Sequence, residues 1–322
     1  LISGNGGYGV YIAGRNFIVQ GNLIGTDILG ASAIGNASGG VFAASASLGT
    51  YNQIGGTGAG EGNLISGNGG HGIESRRGSA ESAYDWIAGN LIGTDIGGCA
   101  ALPNQGDGVR LVRGWYCQVG DVAAGGANVI AGNTGHGVNS ISGRYVNVWG
   151  NLIGVGVDGS TVVPNQGNGV NLAVSENCEI GGSYLDRRNV ISGNLGHGVA
   201  LAALHATYYA SVSVEGNWIG MAGDGALEAG NGGAGIAVLL GTGFRISANG
   251  IQANTGLGID LNNDGVTTND AAPDADGGPN GRMNFPVLTN LASGAGSTVV
   301  QGMLASQTNA TAQIDFFRSL SV

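Results

Sequence analysis

The sequence predicts an all-β fold, a three-sided parallel β-helix of about eight to nine rungs, and three observations predict it. An Asn followed by an apolar residue and Ile recurs along the chain. Short β-branched runs separated by Gly and Asn stand at matching places within each repeat. No stretch shows a convincing 3.6-residue apolar period, so helices are not expected.

The recurring Asn comes first, because internal repeats decide the fold. It stands at Asn22, Asn63, Asn90, Asn128, Asn151, Asn189 and Asn217, and in weaker form at Asn249. The intervals are 41, 27, 38, 23, 38, 28 and 32 residues, so long and short rungs alternate. The extra length falls in stretches such as DILGASAIGN and DIGGCAALPNQG, which read as loops.

Each rung then offers three strand positions. The first holds Ile24, Ile65, Ile92, Ile130, Ile153, Ile191 and Ile219. The second holds Val10, Val41, Ile73, Val109, Val138, Val170, Val199, Ile236 and Ile259, and the third Ile18, Ile54, Ile87, Val119, Val148, Ile180, Val214 and Ile246. Each strand should pair in parallel with its equivalent one rung on, about 4.8 Å away, giving a rod roughly 40 Å long. Asn tolerates the left-handed conformation of a sharp corner, and stacked amides can hydrogen-bond along the axis. The Asn column is therefore expected to be a corner ladder. The residue after each of these Asn (Leu23, Leu64, Leu91, Val129, Leu152, Val190, Trp218) is read as core turned inward by the corner. Pointing outward, the same residues would form a stripe in need of a cover.

The repeats NLIGTD, NLISGNGGHGI and NVISGNLGHGV resemble those of the right-handed parallel β-helix repeat proteins of large secreted bacterial polypeptides. The tail GIDLNNDGVTTNDAAPDADGGPN…NFPVLTN is similar to the segment that follows the solenoid in that group. The resemblance implies a right-handed coil and an extracellular or cell-surface setting. It leaves activity open, since this fold hosts lyases, hydrolases, epimerases, adhesins and rods. Residues 1–262 are read as the β-helix, 263–282 as an acidic Gly/Asp-rich connector, and 283–322 as a C-terminal β-strand segment or cap. The opening LISGN is the middle of a repeat, and the chain reads as a piece of something longer, or as one that stacks end to end on other copies of itself.

Composition narrows the partners. The formal charge is −10 and every basic residue is Arg, a surface that repels phosphate backbones, so no nucleic acid is expected. No run of about 18 apolar residues is present to span a membrane. Cys99, Cys117 and Cys178 lack metal-site spacing. Cys117 and Cys178 share a core column two rungs apart, too far for a disulfide, and read as buried thiols. Cys99 falls in an insert loop.

Three features are candidate sites. Just ahead of the second-strand position, His71, Asp107, His136, Asn168 and His197 follow one another rung by rung, which suits metal binding, acid–base chemistry or a repeated polar corner. Tyr51, Tyr84, Tyr116 and Tyr145 stand three residues before the third-strand position, with Trp86 and Trp115 beside them. This is an outward aromatic row suited to a polysaccharide, or a structural stack. After the last rung, Asp260, Asn262, Asp264 and Asp270 begin like a calcium loop, with Gly265 at the sharp turn, Ala271 where the bidentate Glu belongs, and Asp274 as a substitute. Any Ca2+ there would be structural.

For catalysis, the best mixed cluster is Glu74, Asp107, Arg110 and Arg113 on adjacent rungs. Glu74 and Arg110 share an outward column, and a surface ion pair explains them equally well. Asp27, Asp95, Asp158 and Asp224 fall in matching turns and read as structural. The preferred function is a non-enzymatic extracellular scaffold, adhesin or fibre component. The competing reading is a polysaccharide-binding or polysaccharide-processing β-helix.

Overall fold

The computed structural model describes residues 1–45, 51–78, 84–204, 209–223, 225, 227–271, 277–294 and 296–305. Three parallel sheets run the length of a β-solenoid. The first has eight two-residue strands, from Leu23–Ile24 to Gly250–Ile251. The second has nine, from Tyr8–Ala13 to Ile259–Leu261, and the third eight, from Ile18–Val19 to Thr242–Ser247. In these three sheets every described strand lies beside its equivalent in the next rung, so none of them neighbours its sequence successor.

The inward residues form one continuous core in which Ile24, Ile54, Ile73, Ile92, Val109, Ile130, Ile153 and Ile191 are fully buried. The register follows the expected columns with one correction. Val19, not Ile18, pairs with Ile54. Val19 is 7% exposed and Ile18 64%. A one-residue slip exchanges the two faces of a strand, and at this end, with both neighbours apolar, the pattern alone does not choose between them.

The Asn ladder is present from Asn22 to Asn249. Asn63 Nδ2 donates to Asn90 Oδ1 at 2.9 Å, Asn90 to Asn128 at 3.0 Å, Asn128 to Asn151 at 2.9 Å, and Asn189 to Asn217 at 2.9 Å. Its conformational premise is corrected: none of these Asn has a positive φ. The left-handed turn is taken by a neighbour such as Gly89 (φ +69°) or Gly93 (φ +87°), where a Cβ would press on carbonyl oxygens. The Asn instead fills the corner, its Nδ2 also meeting an inward carbonyl such as Ile54 O at 2.9 Å.

A second ladder, not anticipated, runs through Asn5, Asn36, Asn68, Asn104, Asn133, Asn165, Asn194, Asn231 and Asn254. Its amide bonds include 2.9 Å from Asn68 to Asn104 and 2.9 Å from Asn165 to Asn194. The two ladders bracket the first sheet, and this explains how strands of only two residues hold their register.

The Leu column resolves differently from either simple reading. Leu64, Leu91, Val129 and Leu152 lie on the outer side of the first sheet, yet Leu64 and Val129 are buried. The cover is the set of loops inserted in the long rungs. Each leaves the first sheet and returns as an antiparallel pair: Thr26 with Ala33, Thr94 with Ala101, Val155 with Val162, and Met221–Ala222 with Leu227–Glu228.

Each returning arm fits beside the preceding short rung. Leu102 donates its N–H to Gly93 O at 2.9 Å, and its carbonyl accepts from Gly67 N–H at 3.0 Å. The loops also bond to one another, Ile96 N–H to Gly30 O and Val157 N–H to Gly98 O, both at 2.9 Å. Two arms occupy about two strand spacings, ~9.6 Å, so a loop in every second rung covers the whole face. The alternation of long and short rungs follows from this. Beneath the loops lies a small separate core of Val129, Ala131 and Val163, with Leu91 and Leu152 packed on it.

Past the last rung the connector crosses the end of the solenoid. Asn280 Nδ2 donates to Phe244 O at 2.7 Å and its Oδ1 accepts from Phe244 N–H at 3.0 Å, an amide standing in for the next strand. A mostly apolar cavity of about 480 Å3 remains between Phe244, Ile246, Ile259 and Leu261 on one side and Val266, Met283 and Phe285 on the other. Val287–Gly294 and Ser297–Met303 then form an exposed antiparallel hairpin. The stretch TAQIDFF lies outside the described residues.

Candidate functional site

The strands of the second sheet are four to seven residues long over most of the rod, and its outer face is where charged and aromatic side chains meet. One outward column reads Tyr11, Phe42, Glu74, Arg110, Asn139, Asn171, each beside the next. At its start Tyr8, Tyr11 and Phe42 form an aromatic platform, Tyr8 on Phe42 at 4.7 Å and Tyr11 on Phe42 at 5.3 Å. The sequence reading missed this platform, although Tyr8 and Tyr11 flank the first Val of the second column.

Glu74 and Arg110 are neighbours across the sheet, as expected, but they do not pair with each other. Glu74 is 2% exposed, so it is no surface group. Its Oε1 takes a charge-assisted bond from Arg76 at 2.6 Å, and its Oε2 accepts from Tyr8 Oη at 3.3 Å. Burial, aided by the Glu74 charge, pushes the Tyr8 phenol above its usual range. Arg110 turns the other way, 3.5 Å from Asp107 Oδ2. Arg113 lies at a corner with φ +56°, one residue past Val112, the register partner of Arg76.

Asp107 belongs to the His column, and there the side chains join rung to rung. His71 Nδ1 accepts the Asp107 N–H at 2.8 Å, Asp107 Oδ1 the His136 N–H at 2.9 Å, and His136 Nδ1 the Asn168 N–H at 2.9 Å. Asn168 Oδ1 accepts the His197 N–H and His197 Nδ1 the Ala234 N–H, both at 2.9 Å. Accepting at Nδ1 leaves the proton on Nε2, so each imidazole is held neutral. Burial lowers the pKa of all three His, more than Asp107 raises it for His71 and His136 or Asp260 for His197.

The column is thus a third ladder, with a lone-pair acceptor as its only requirement. That is why His, Asp and Asn alternate freely within it. Among the described residues no three His, Cys, Asp or Glu gather to hold a metal.

The Tyr row is a stack. Ring centroids are 4.5 Å apart for Tyr51 and Tyr84, 5.2 Å for Tyr84 and Tyr116, and 4.7 Å for Tyr116 and Tyr145, with planes within 14°. The rings lie face to face along the rod axis. Tyr84 and Tyr116 therefore have neighbours on both faces, and their edges point to solvent. Tyr116 and Tyr145 occupy this corner with φ +60° and +54°, the conformation Asn16 and Asn177 adopt at the two ends of the row. Trp86 is tied to Asp121 through its Nε1 at 3.0 Å. Trp115 lies under Arg144, whose guanidinium is 5.3 Å from the ring and ion-paired with Glu176.

The post-solenoid acids lie apart. Asp260 is a strand residue beside Ala237, and its Oδ2 accepts from Gly265 N–H at 3.3 Å. Asp264 faces Asn262 at 2.8 Å and Arg282 at 3.5 Å, while Asp270 Oδ1 accepts from Asn284 Nδ2 at 3.0 Å. Asp274 lies outside the described residues. The turn acids Asp27, Asp95 and Asp158 each accept loop N–H groups, as in Ser160 N–H to Asp158 Oδ1 at 2.9 Å. Asp224 falls outside the described residues. Inside the rod, Asp85 is held by Ser75 Oγ at 2.5 Å and Asn52 Nδ2 at 3.0 Å, and burial raises its pKa.

No model of a known protein family matches the chain, and no curated protein matches it. Among solved structures, the A-module of the mannuronan C-5 epimerase AlgE4 of Azotobacter vinelandii aligns with 82% of this chain and 91% of that one, at 16% identity and a TM-score of 0.19.

Proposed function

We propose that the chain is a non-catalytic β-solenoid scaffold of the cell exterior, an adhesin or fibre component. One observation carries the reading: the repeated polar side chains are engaged in rung-to-rung bonding. The two Asn columns and the His–Asp–His–Asn–His column all bridge successive rungs. A catalytic group needs a free lone pair or proton facing a substrate. Here Glu74 faces Arg76 and Tyr8, Asp107 bonds His136, and the Nδ1 lone pair of each imidazole is taken by a backbone N–H. The extracellular setting rests on the resemblance of the NLIGTD and NVISGN repeats to secreted bacterial polypeptides.

The test is turnover. Acidic and neutral polysaccharides are incubated with the chain and followed for new reducing ends, unsaturated products and inverted ring centres. No product is expected. Sustained product formation that disappears in Glu74→Gln would overturn the reading.

A second reading, a polysaccharide-binding module, is favoured by the platform of Tyr8, Tyr11 and Phe42, with Arg76 held nearby on the Glu74 that Tyr8 also bonds. Sugar rings stack on flat apolar faces, and Tyr11 is 62% exposed. A glycan array read with wild type and with Tyr11→Ala decides it: a Tyr11-dependent ligand supports a module, and an empty array removes it.

A further inference from the structure

The corner between the second and third sheets carries a groove of about 400 Å3 bordered by two columns of side chains. Arg113, Ser142 and Val174 follow the strands Val109–Val112, Val138–Ile141 and Val170–Ala173, each with φ +56°. Two residues further on, Trp115, Arg144 and Glu176 pair rung to rung. Leu204, from the next rung, completes the lining.

The charge of this groove runs against that of the chain. Arg76, Arg110, Arg187, Arg245 and Arg282 are each matched to a carboxylate. Arg113 is exposed and has no such partner among the described residues. Arg144 meets Glu176 through Nε, and its guanidinium lies 5.3 Å over the Trp115 ring. That arrangement engages one guanidinium nitrogen and holds the plane in place, which leaves the terminal nitrogens as a fork suited to an anion. Two guanidinium groups thus stand against one carboxylate, in a protein of net charge −10.

We infer that this groove binds an acidic oligosaccharide. Its anionic groups meet Arg113 and Arg144, and its ring faces pack against the exposed Val174 and Leu204. An anionic pyranose carries the matching set: fixed negative charge, hydroxyls for Ser142, and an apolar ring face. The Arg side chains stand on adjacent rungs, ~4.8 Å apart along the axis, close to the length of one pyranose residue. Neighbouring rungs therefore meet neighbouring sugars. One face of Trp115 is taken by Arg144, so Trp115 serves as a positioning residue for that guanidinium.

The groove is independent of the scaffold reading, since a non-catalytic adhesin needs a ligand site and a rod can lack one. It also shares no residue with the Tyr8–Tyr11–Phe42 platform, so the two sites are separable by mutation.

The experiment is isothermal titration calorimetry of the full chain with four probes. They are a 1,4-linked galacturonate hexasaccharide, its carboxyl-reduced neutral counterpart, a sulfated hexasaccharide and an oligo-glutamate of equal charge. Saturable binding of an acidic saccharide is expected, at least tenfold tighter than that of the neutral or peptide probe. The stronger of the two acidic saccharides identifies the anionic group. Arg113→Ala should weaken binding at least tenfold while keeping the wild-type circular dichroism. Arg245→Ala removes the same charge from the third sheet and should leave binding unchanged. No saturable binding of either acidic saccharide would overturn the inference. So would equal affinity for oligo-glutamate or the neutral sugar, or equal losses in Arg113→Ala and Arg245→Ala. Binding lost in Tyr11→Ala but kept in Arg113→Ala would overturn the groove and support the platform.

Discussion

Asn128 and Asn151, 23 residues apart in sequence, are joined by two hydrogen bonds to one atom. Asn128 Nδ2 reaches Asn151 Oδ1 at 2.9 Å, and the Asn128 backbone N–H reaches the same oxygen at 3.3 Å. Asn128 in turn accepts from Asn90 N–H and Nδ2, both at 3.0 Å, and donates to Ile87 O at 2.8 Å. A single side chain thus satisfies donors and acceptors on three rungs.

Replacing it should therefore cost far more than one hydrogen bond. Asn128→Ala strands several buried groups, each worth about 1–3 kcal/mol. A destabilisation of about 3 kcal/mol or more is expected in urea unfolding followed by circular dichroism. Asn290→Ala, whose amide is exposed and bonded only to Gln301 across the terminal hairpin, should change the midpoint little. Equal effects from the two would show that the ladder is decorative.

The His ladder makes stability depend on pH. Burial depresses the folded-state pKa of His71, His136 and His197 below the ~6.5 of an unfolded chain, so the unfolded state binds protons first as pH falls. The stabilisation is complete above about pH 6.5 and is lost as pH drops through the depressed values, when protonated Nδ1 can no longer accept a backbone N–H. Melting temperature should fall between pH 7 and 5. The triple variant His71→Asn/His136→Asn/His197→Asn should flatten that slope, because Asn168 already serves the same position with its Oδ1. An unchanged slope in the triple variant would assign it to the carboxylates.

The Tyr stack should behave as a structural element. Tyr116 stacks with two neighbours, and aromatic pairs contribute about 0.5–1.5 kcal/mol each. Tyr116→Asn, which suits the left-handed corner, is expected to lose roughly 1–2 kcal/mol and to reduce the near-ultraviolet coupling signal of the row. Because ring edges rather than faces meet solvent, glycan binding should not depend on Tyr84 or Tyr116. An array hit abolished by Tyr84→Ala would contradict this.

Thiol reactivity separates the three cysteines. Burial pushes the Cys117 thiol well up and Cys178 up to about 12, and both lie in the core. Cys99 is partly exposed. Iodoacetamide at pH 8 should add one label to the native chain, on Cys99, and three after denaturation. Rapid native labelling at Cys117 would mean that the core columns open.

Much of this protein was determined by its sequence alone. The columns headed by Ile24, Val41 and Ile54 had only one way to bury themselves together, because three short β-branched runs per repeat, each too brief to stand alone, gain a core only by stacking. Asn22 to Asn217 were legible for the same reason: a polar residue recurring next to core must meet its own copy.

What the tertiary structure decided lies where several local solutions satisfy the same pattern. Ile18 and Val19 are equally apolar, and only pairing with Ile54 chose between them. Leu64 and Val129 face outward, yet they are buried by loops whose fold depends on the previous rung. Glu74 and Arg110 adjoin, but Arg76, Tyr8 and Asp107 offered closer partners. The faces of Tyr84 and Tyr116 are occupied by each other, a fact set by ring orientation. Spacing along a chain specifies which residues become neighbours, whereas orientation and competition among neighbours arise only once the rungs have stacked.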